Sequence, residues 1–462
     1  MFQQRLSKAT RRALVGLGIS LMAVGVHSAA AETLTLEHAI QTALENNPEV
    51  HRSRAERDVA QAGVDRADAA FRPRVSVGAG VDHLTLNSAS PAAGRAELDF
   101  SEIFPDTDPV TVDEPVRDLS GFTRYSAHVT AEYILWDFGQ RRSQRDAAIG
   151  DRAAAQARTN VAEADTVLEV AEGYFDLLHA QALLAVQEEA LARQEESAEL
   201  ARRLHRAGRV TGGDVARADA DVARAEVDVT ETRNTVERHR LRLLRAMGVH
   251  PHNAQFEVDT RSRIRAPGDW RQALEDKDWA EEHPSVVAQI EAVEARRAEL
   301  ERHRRSFRPT LQAGANYRVD RFAEGGTAPN YTVGVELRWD IFDGGDRGSR
   351  VAEARAQQMS AAAAREHRYN EVVTQAREAE NDLAEAEERI QLAQRALAAS
   401  EEDLRNARGG YREGVRSFSD LSQAQVDVAE AQARLEGARF DRQKALARLY
   451  WALGSIPTDT LR

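Results

Sequence analysis

The chain has 462 residues, 62 Lys and Arg against 75 Asp and Glu, a formal charge of −13 and no cysteine. The missing cysteine excludes disulfide frameworks, thiolate metal sites, Cys nucleophiles and a lipidated N-terminal Cys. The acidic balance argues against nucleic-acid partners.

In chain order, residues 1–31 read as a cleaved export signal. Arg5, Lys8, Arg11 and Arg12 form a basic start, residues 13–26 are apolar or small, and Ala29-Ala30-Ala31 offers a small-residue cleavage site. Cleavage removes four positive charges and no acid, so −13 becomes −17. No later segment reads as a transmembrane helix, so a membrane-embedded form must enter as strands.

Residues 74–82 alternate Val75, Val77, Ala79 and Val81 with Ser76, Gly78, Gly80 and Asp82. Residues 126–135 alternate Ala127, Val129, Ala131, Tyr133 and Leu135 with Ser126, His128, Thr130 and Glu132. Period two over about ten residues, with aromatics near the ends, predicts membrane-type strands. Alternation also fits a half-buried soluble sheet. The connection between them, about 83–123, holds Pro91, Pro105, Pro109 and Pro115 and reads as a long exposed loop.

From Gly139 to His205 no proline interrupts the chain, which predicts a helix of roughly 100 Å. Leu177, Leu184, Leu191, Ala198 and His205 repeat every seven residues, as do Val215, Val222, Val229, Val236 and Leu243 on a returning helix. Such a period means supercoiled packing. Between the two, Thr211 and Asp214 have capping-box spacing, and Asp137 is placed to cap the outgoing helix.

A link at 251–271 follows, and the pattern then recurs. Strands are expected at about 310–320 and 331–341, joined by a short Gly-rich turn. A helical hairpin is expected over 345–453, with Asp343 as its outer cap and Ser417 and Asp420 at its turn. Its seams are Leu383, Ile390, Leu397, Leu404 and Tyr411, then Leu421, Val428, Leu435, Arg442 and Leu449. Arg442 breaks the last seam and is expected to face solvent. Residues 455–462 form a tail.

The correspondences are specific. Asn47-Pro48 recurs as His283-Pro284 and Phe71-Arg72-Pro73 as Phe307-Arg308-Pro309. Further on, Leu135-Trp136-Asp137-Phe138-Gly139 matches Ile341-Phe342-Asp343-Gly344-Gly345, and Met247-Gly248 matches Leu453-Gly454. The sequence therefore reads as two structural repeats, 32–250 and 272–454, separated by the link. Four strands per chain cannot close a useful barrel, and an open edge in lipid is prohibitively costly, so a membrane reading requires several chains to pool their strands.

No HExxH, phosphate-binding Gly loop, Ser elbow or Cys/His cluster is present, so no catalysis, cofactor or metal is expected. His250-Pro251-His252 reads as a solvated loop, and Asp343-Gly344-Gly345-Asp346 supplies too few ligands for calcium.

The combination of export signal, repeated strand–strand–helical hairpin and loop insertion resembles the TolC-like outer-membrane efflux and type I secretion exit ducts. Leu36, Ala39-Ile40, Ala43-Leu44 and Asn47-Pro48 resemble that family's opening motif, and Ala171 to Phe175 its mid-helix Tyr-Phe motif. The turn at Ile341 to Gly345 and the tip residues Gly410-Tyr411, Gly414, Arg416 and Asp420 are similar too. The resemblance implies an α+β membrane protein: a homotrimer with one 12-stranded β-barrel, continued by a long α-helical coiled-coil barrel across the periplasm. It implies contacts with outer-membrane lipid, a periplasmic adaptor (membrane fusion protein) and an inner-membrane pump. It also implies a gate at the periplasmic tips. Tyr411 and Arg416 would belong to the closing network, Asp420 would supply an acidic ring, and Asp214 would pair across the gate. Gln423 stands where the family carries a second ring acid, so the narrowest ring should hold fewer charges. The absent lipid anchor favours secretion over small-molecule efflux. The alternative is a periplasmic coiled-coil adaptor or scaffold without a channel. Two hairpins and strands with a continuously apolar face count against it.

Overall fold

A computed structural model describes residues 33–84, 97–98, 110–111, 122–251, 256–266, 268, 270–275, 279–322 and 327–454. The expected export signal, most of the 83–123 connection, His252 and the tail lie outside the described residues. The chain runs β1 (Thr33–Leu34), α1 (Leu36–Asn46), α2 (Pro48–Ala69), β2 (Arg74–Leu84), β3 (Glu97–Leu98), β4 (Val110–Thr111) and β5 (Phe122–Trp136). Then come α3 (Gln140–Arg206), α4 (Gly212–Ala246), β6 (Glu257–Val258), α5 (Trp270–Glu275), α6 (Trp279–Glu282) and α7 (Pro284–Arg305). The last elements are β7 (Thr310–Phe322), β8 (Thr327–Arg338), α8 (Asp346–Glu413) and α9 (Phe418–Ala452).

Four strands form one antiparallel sheet in the order β2-β5-β7-β8. Its register aligns like with like. Val77, Val129, Tyr317 and Tyr331 lie in one row, and Val75, Ala131, Ala315 and Val333 in the next. Between these rows, Ser76, Thr130, Asn316 and Thr332 line up, and Asn316 Nδ2 donates to Thr130 Oγ1 at 2.7 Å. Because successive strand residues point to opposite faces, one face is apolar and the other polar. The apolar face is exposed in the single chain at Val75, Val77, Tyr331, Val333 and Val335. Among the described residues, β2 and β8 each have one unpaired edge.

The strands differ from expectation at their ends. The first pair continues outward through His83↔Thr123 and Leu84↔Phe122, and a two-residue ladder, β3 with β4, lies within the connection expected to be loop. The last strand stops at Arg338 instead of reaching 341. Arg338 pairs with Thr310, the first residue of β7, and Pro309 before it has no N–H to extend the ladder. Trp339 turns instead to donate its indole N–H to the Phe307 carbonyl at 3.1 Å, leaving Ile341 and Phe342 82% and 88% exposed.

Beyond the sheet, α3 packs along α2, α4, α7 and α9, and α8 along α7 and α9. At 67 and 68 residues, α3 and α8 are each about 100 Å long. The seam residues Leu177, Ala198, Val229, Val236, Leu243, Leu421, Val428, Leu435 and Leu449 are buried. Two departures are local. His205 is exposed, and Leu204 packs against the tip cluster in its place. Arg442 is half-buried and paired with Glu387 at 3.2 Å, so it does not simply face solvent.

The short helices brace this frame. Asn47 caps α2 by accepting from Glu49 N and donates to the Ala246 carbonyl at the end of α4 at 2.7 Å. His283 caps α7, and its Nε2 lies 3.2 Å from the Trp451 carbonyl at the end of α9. The largest core surrounds Tyr174 and Phe175 on α3 and includes Leu36, Ile40, Leu243, Leu446 and Leu449. The segment expected as a mere link enters it. Strand β6 pairs in parallel with β1, and Val258, Ile264, Trp270 and Leu274 are buried there. The Tyr174 hydroxyl lies 3.0 Å from the Leu34 and Asp259 carbonyls and from Ser262 Oγ, and burial pushes its pKa up to about 12.

Candidate channel gate at the helical turns

The two hairpins turn near one another at the end remote from the sheet. Ala198, Ala201, Ala218, Ala407, Tyr411, Phe418, Leu421 and Ala424 form a separate buried cluster there. Small Ala side chains let the helices approach, and Tyr411 and Phe418 fill the space edge-to-face, with centroids 5.6 Å apart. Gly414 ends α8 with φ of +79°, a conformation that favours glycine. A Cβ on Gly410 would stand 2.9 Å from Arg416 Cγ, so the missing side chain lets the arginine stem fold back over the helix end.

Thr211 and Ser417 cap the returning helices. Thr211 Oγ1 accepts from Asp214 N, while Asp214 Oδ2 accepts from Thr211 N at 3.1 Å. Ser417 Oγ and Asp420 Oδ2 repeat the exchange at 3.2 and 3.0 Å. Each carboxylate therefore closes its own capping box. The hydrogen bonds from Ser417 hold the Asp420 carboxyl below the usual range, with a smaller contribution from Arg416.

The residues expected to close a gate are brought to one end but not into mutual contact within the chain. Arg416 pairs with Asp403 on α8 at 2.9 Å rather than with Asp214 or Asp420. The Tyr411 hydroxyl is buried without a hydrogen-bond partner among the described residues. Burial, then the nearby Asp214 charge, raises its pKa. Gln423 Nε2 donates to Asp427 at 2.8 Å, one turn along α9. Sequence reasoning missed Asp403, since an acid on a charged helix carries no distinguishing signal. It also missed Asp221, buried on α4 and accepting from Ser422 Oγ of α9 at 2.7 Å.

At the opposite end, Asp137 and Asp343 lie two residues before the helix N-caps, which are Gly139 and Gly345. They satisfy the helix starts from outside. Asp137 accepts from Arg141 N at 2.9 Å and Asp343 from Arg347 N at 3.0 Å. The same arginines lie over Phe71 and Phe307, 5.0 and 4.9 Å from the ring centroids. Aromatic and cationic groups thus gather where the strands meet the helices.

An open sheet with one apolar face, set on two long helical hairpins, is also the fold of solved outer-membrane channels. The chain matches the outer membrane efflux protein family over residues 39–249 and 277–455. It belongs to that family. It is 22% identical to the protease secretion protein PrtF of Dickeya chrysanthemi, over 92% of this chain and 89% of that protein. It is 26% identical to the outer membrane protein OprJ of Pseudomonas aeruginosa, covering 70% and 68% of the two chains. It is 22% identical to the outer membrane protein TolC of Vibrio cholerae, over 94% of each. Among solved structures, the outer-membrane channel OprN superposes with a TM-score of 0.74 at 22% identity, covering 92% of this chain and 90% of that one. The Campylobacter jejuni CmeC channel gives 0.76 at 15% identity, covering 91% and 85%. The protein is accordingly an outer-membrane channel component and a passive conduit, not an enzyme, which removes the adaptor reading.

Proposed function

We propose that three copies of this chain form the outer-membrane exit duct of a tripartite efflux or type I secretion system. The observation that carries the proposal is the sheet: four strands, one continuous apolar face and two unpaired edges. Lipid accepts such a face but not the edges. Joining β8 of one copy to β2 of the next, three times, gives a closed 12-stranded barrel. The paired hairpins, read as two internal repeats, then surround a helical barrel of about 100 Å across the periplasm. Energy comes from an inner-membrane pump, reached through a periplasmic adaptor at the helix tips. The likeness to a protease secretion protein over most of both chains supports secretion as the transported load. The native mass of the protein, extracted from outer membranes in mild detergent, tests this. A mass near three chains is expected; a monomer or dimer would overturn the pooled barrel.

The tip is the gate in this reading. The Tyr411–Phe418 cluster fixes the turns, and the Asp403–Arg416 pair ties the exposed turn of α8 to its own helix. Asp214 and Asp420, closing the capping boxes at the two turns, place acidic rings at the tunnel mouth, while Gln423 leaves a neutral position about one turn further up α9 from the tip. Arg416→Ala frees the turn and is expected to raise single-channel conductance and sensitivity to small toxic compounds. Unchanged values for both would remove Arg416 from the gate.

A further inference from the structure

The inter-repeat segment does more than fill the core. Where residues 263–266 cross α9 they leave a cleft of 570 Å³, lined by Arg263, Arg265, Arg439, Arg442 and Gln443 above an apolar floor of Ile390 and Phe440. Four arginines line it in a chain whose overall charge is −13. Ion pairs reach only two of them, although Glu37 and Asp259 line the adjoining cleft with Arg263 and Arg265. Glu436 pairs with Arg439 and Glu387 with Arg442. Arg263 spends one nitrogen on the Thr260 and Ser262 carbonyls. Among the described residues, neither Arg263 nor Arg265 has an ion pair. Gln443 supplies an independent indication. It is only 5% exposed, its Oε1 accepts from Ile264 N at 2.7 Å, and its amide nitrogen donates to nothing among the described residues. Two arginines without an ion pair, at one cleft with an amide donor open to it, match an anion.

We infer that this cleft is an anion-binding site that takes a small polycarboxylate or phosphate-bearing ligand. Planar guanidinium groups match either oxyanion with paired N–H donors. The site lies 44 residues along α8 from Asp346, roughly 65 Å from the sheet, which excludes the headgroups of the membrane around the strands. A bound anion bridges Arg265 on the segment to Arg439 on α9. It thereby clamps the link between the two halves of the chain onto the middle of the helical hairpin.

The test uses the full chain purified in detergent, titrated by calorimetry with citrate and, separately, with pyrophosphate. At least one should bind and raise the thermal midpoint, as any native-state ligand does. Arg265→Gln combined with Arg439→Gln should weaken binding roughly tenfold or more. Both side chains are at the surface, so the unliganded midpoint reports that the fold persists. Arg233→Gln, on exposed α4, is the control for loss of charge alone. Citrate binding without pyrophosphate would identify a carboxylate ligand, and the reverse a phosphate. The inference is overturned if neither probe binds at about 10 mM, or if the control weakens binding as much as the double variant. A monomeric protein that still binds would refute the barrel and leave this site standing.

Discussion

Val333→Arg should empty the outer membrane of this protein. Val333 lies mid-strand in β8, is 77% exposed in the single chain, and shares its row with Val75, Ala131 and Ala315. If that row faces lipid, an arginine there costs about 2–4 kcal/mol per copy, and three copies multiply the penalty within one barrel. Thr332→Arg supplies the comparison. It adds the same side chain one residue earlier, on the polar face beside Asn316, where water is the solvent. The detergent-resistant oligomer in outer-membrane fractions should disappear for Val333→Arg and persist for Thr332→Arg. Equal amounts of both would mean that the apolar row does not meet lipid.

Phe418→Ala should open the tip without unfolding the rest. Phe418 is 2% exposed, starts α9 directly after the Ser417 cap, and packs edge-to-face on Tyr411. Deleting a buried Phe costs about 3–5 kcal/mol, and its surroundings are mainly alanines that cannot swell to fill the cavity. The tip cluster is separate from the large core around Tyr174, so the loss stays local. Hydrogen exchange should speed up across 404–424 while the Tyr174 region keeps its protection, and single-channel conductance should rise. Conductance unchanged despite the lost protection would show that the Tyr411–Phe418 packing stabilises the turn without controlling the passage.

The two long hairpins, their turns and the alternating strands were legible because each rests on local periodicity. Leu383 and Val428 repeat at the heptad spacing, Val333 and Val335 at the strand spacing, and Ser417 with Asp420 at the capping spacing. Each pattern needs only neighbours in sequence to take effect. The tip residues were found by resemblance, and the structure brings Tyr411, Arg416, Asp214 and Asp420 to the same end. Their partners were not legible. Arg416 could reach several acids on neighbouring turns, and only the fold of its stem over Gly410 selects Asp403.

What the sequence by itself determined, then, is the kind of element in the four sheet strands and the two long hairpins, and the face each of these sets apart, because propensity, period and capping act over one or two turns. The tertiary structure alone decided which elements meet. It joined β5 to β7 across a separation of nearly two hundred residues, ended β8 where β7 runs out at Pro309, and drew the link at Val258, Ile264 and Trp270 into the core. Those choices follow from complementary shape and unsatisfied backbone groups on partners far apart in the chain. No local pattern records which of several suitable partners will be adjacent.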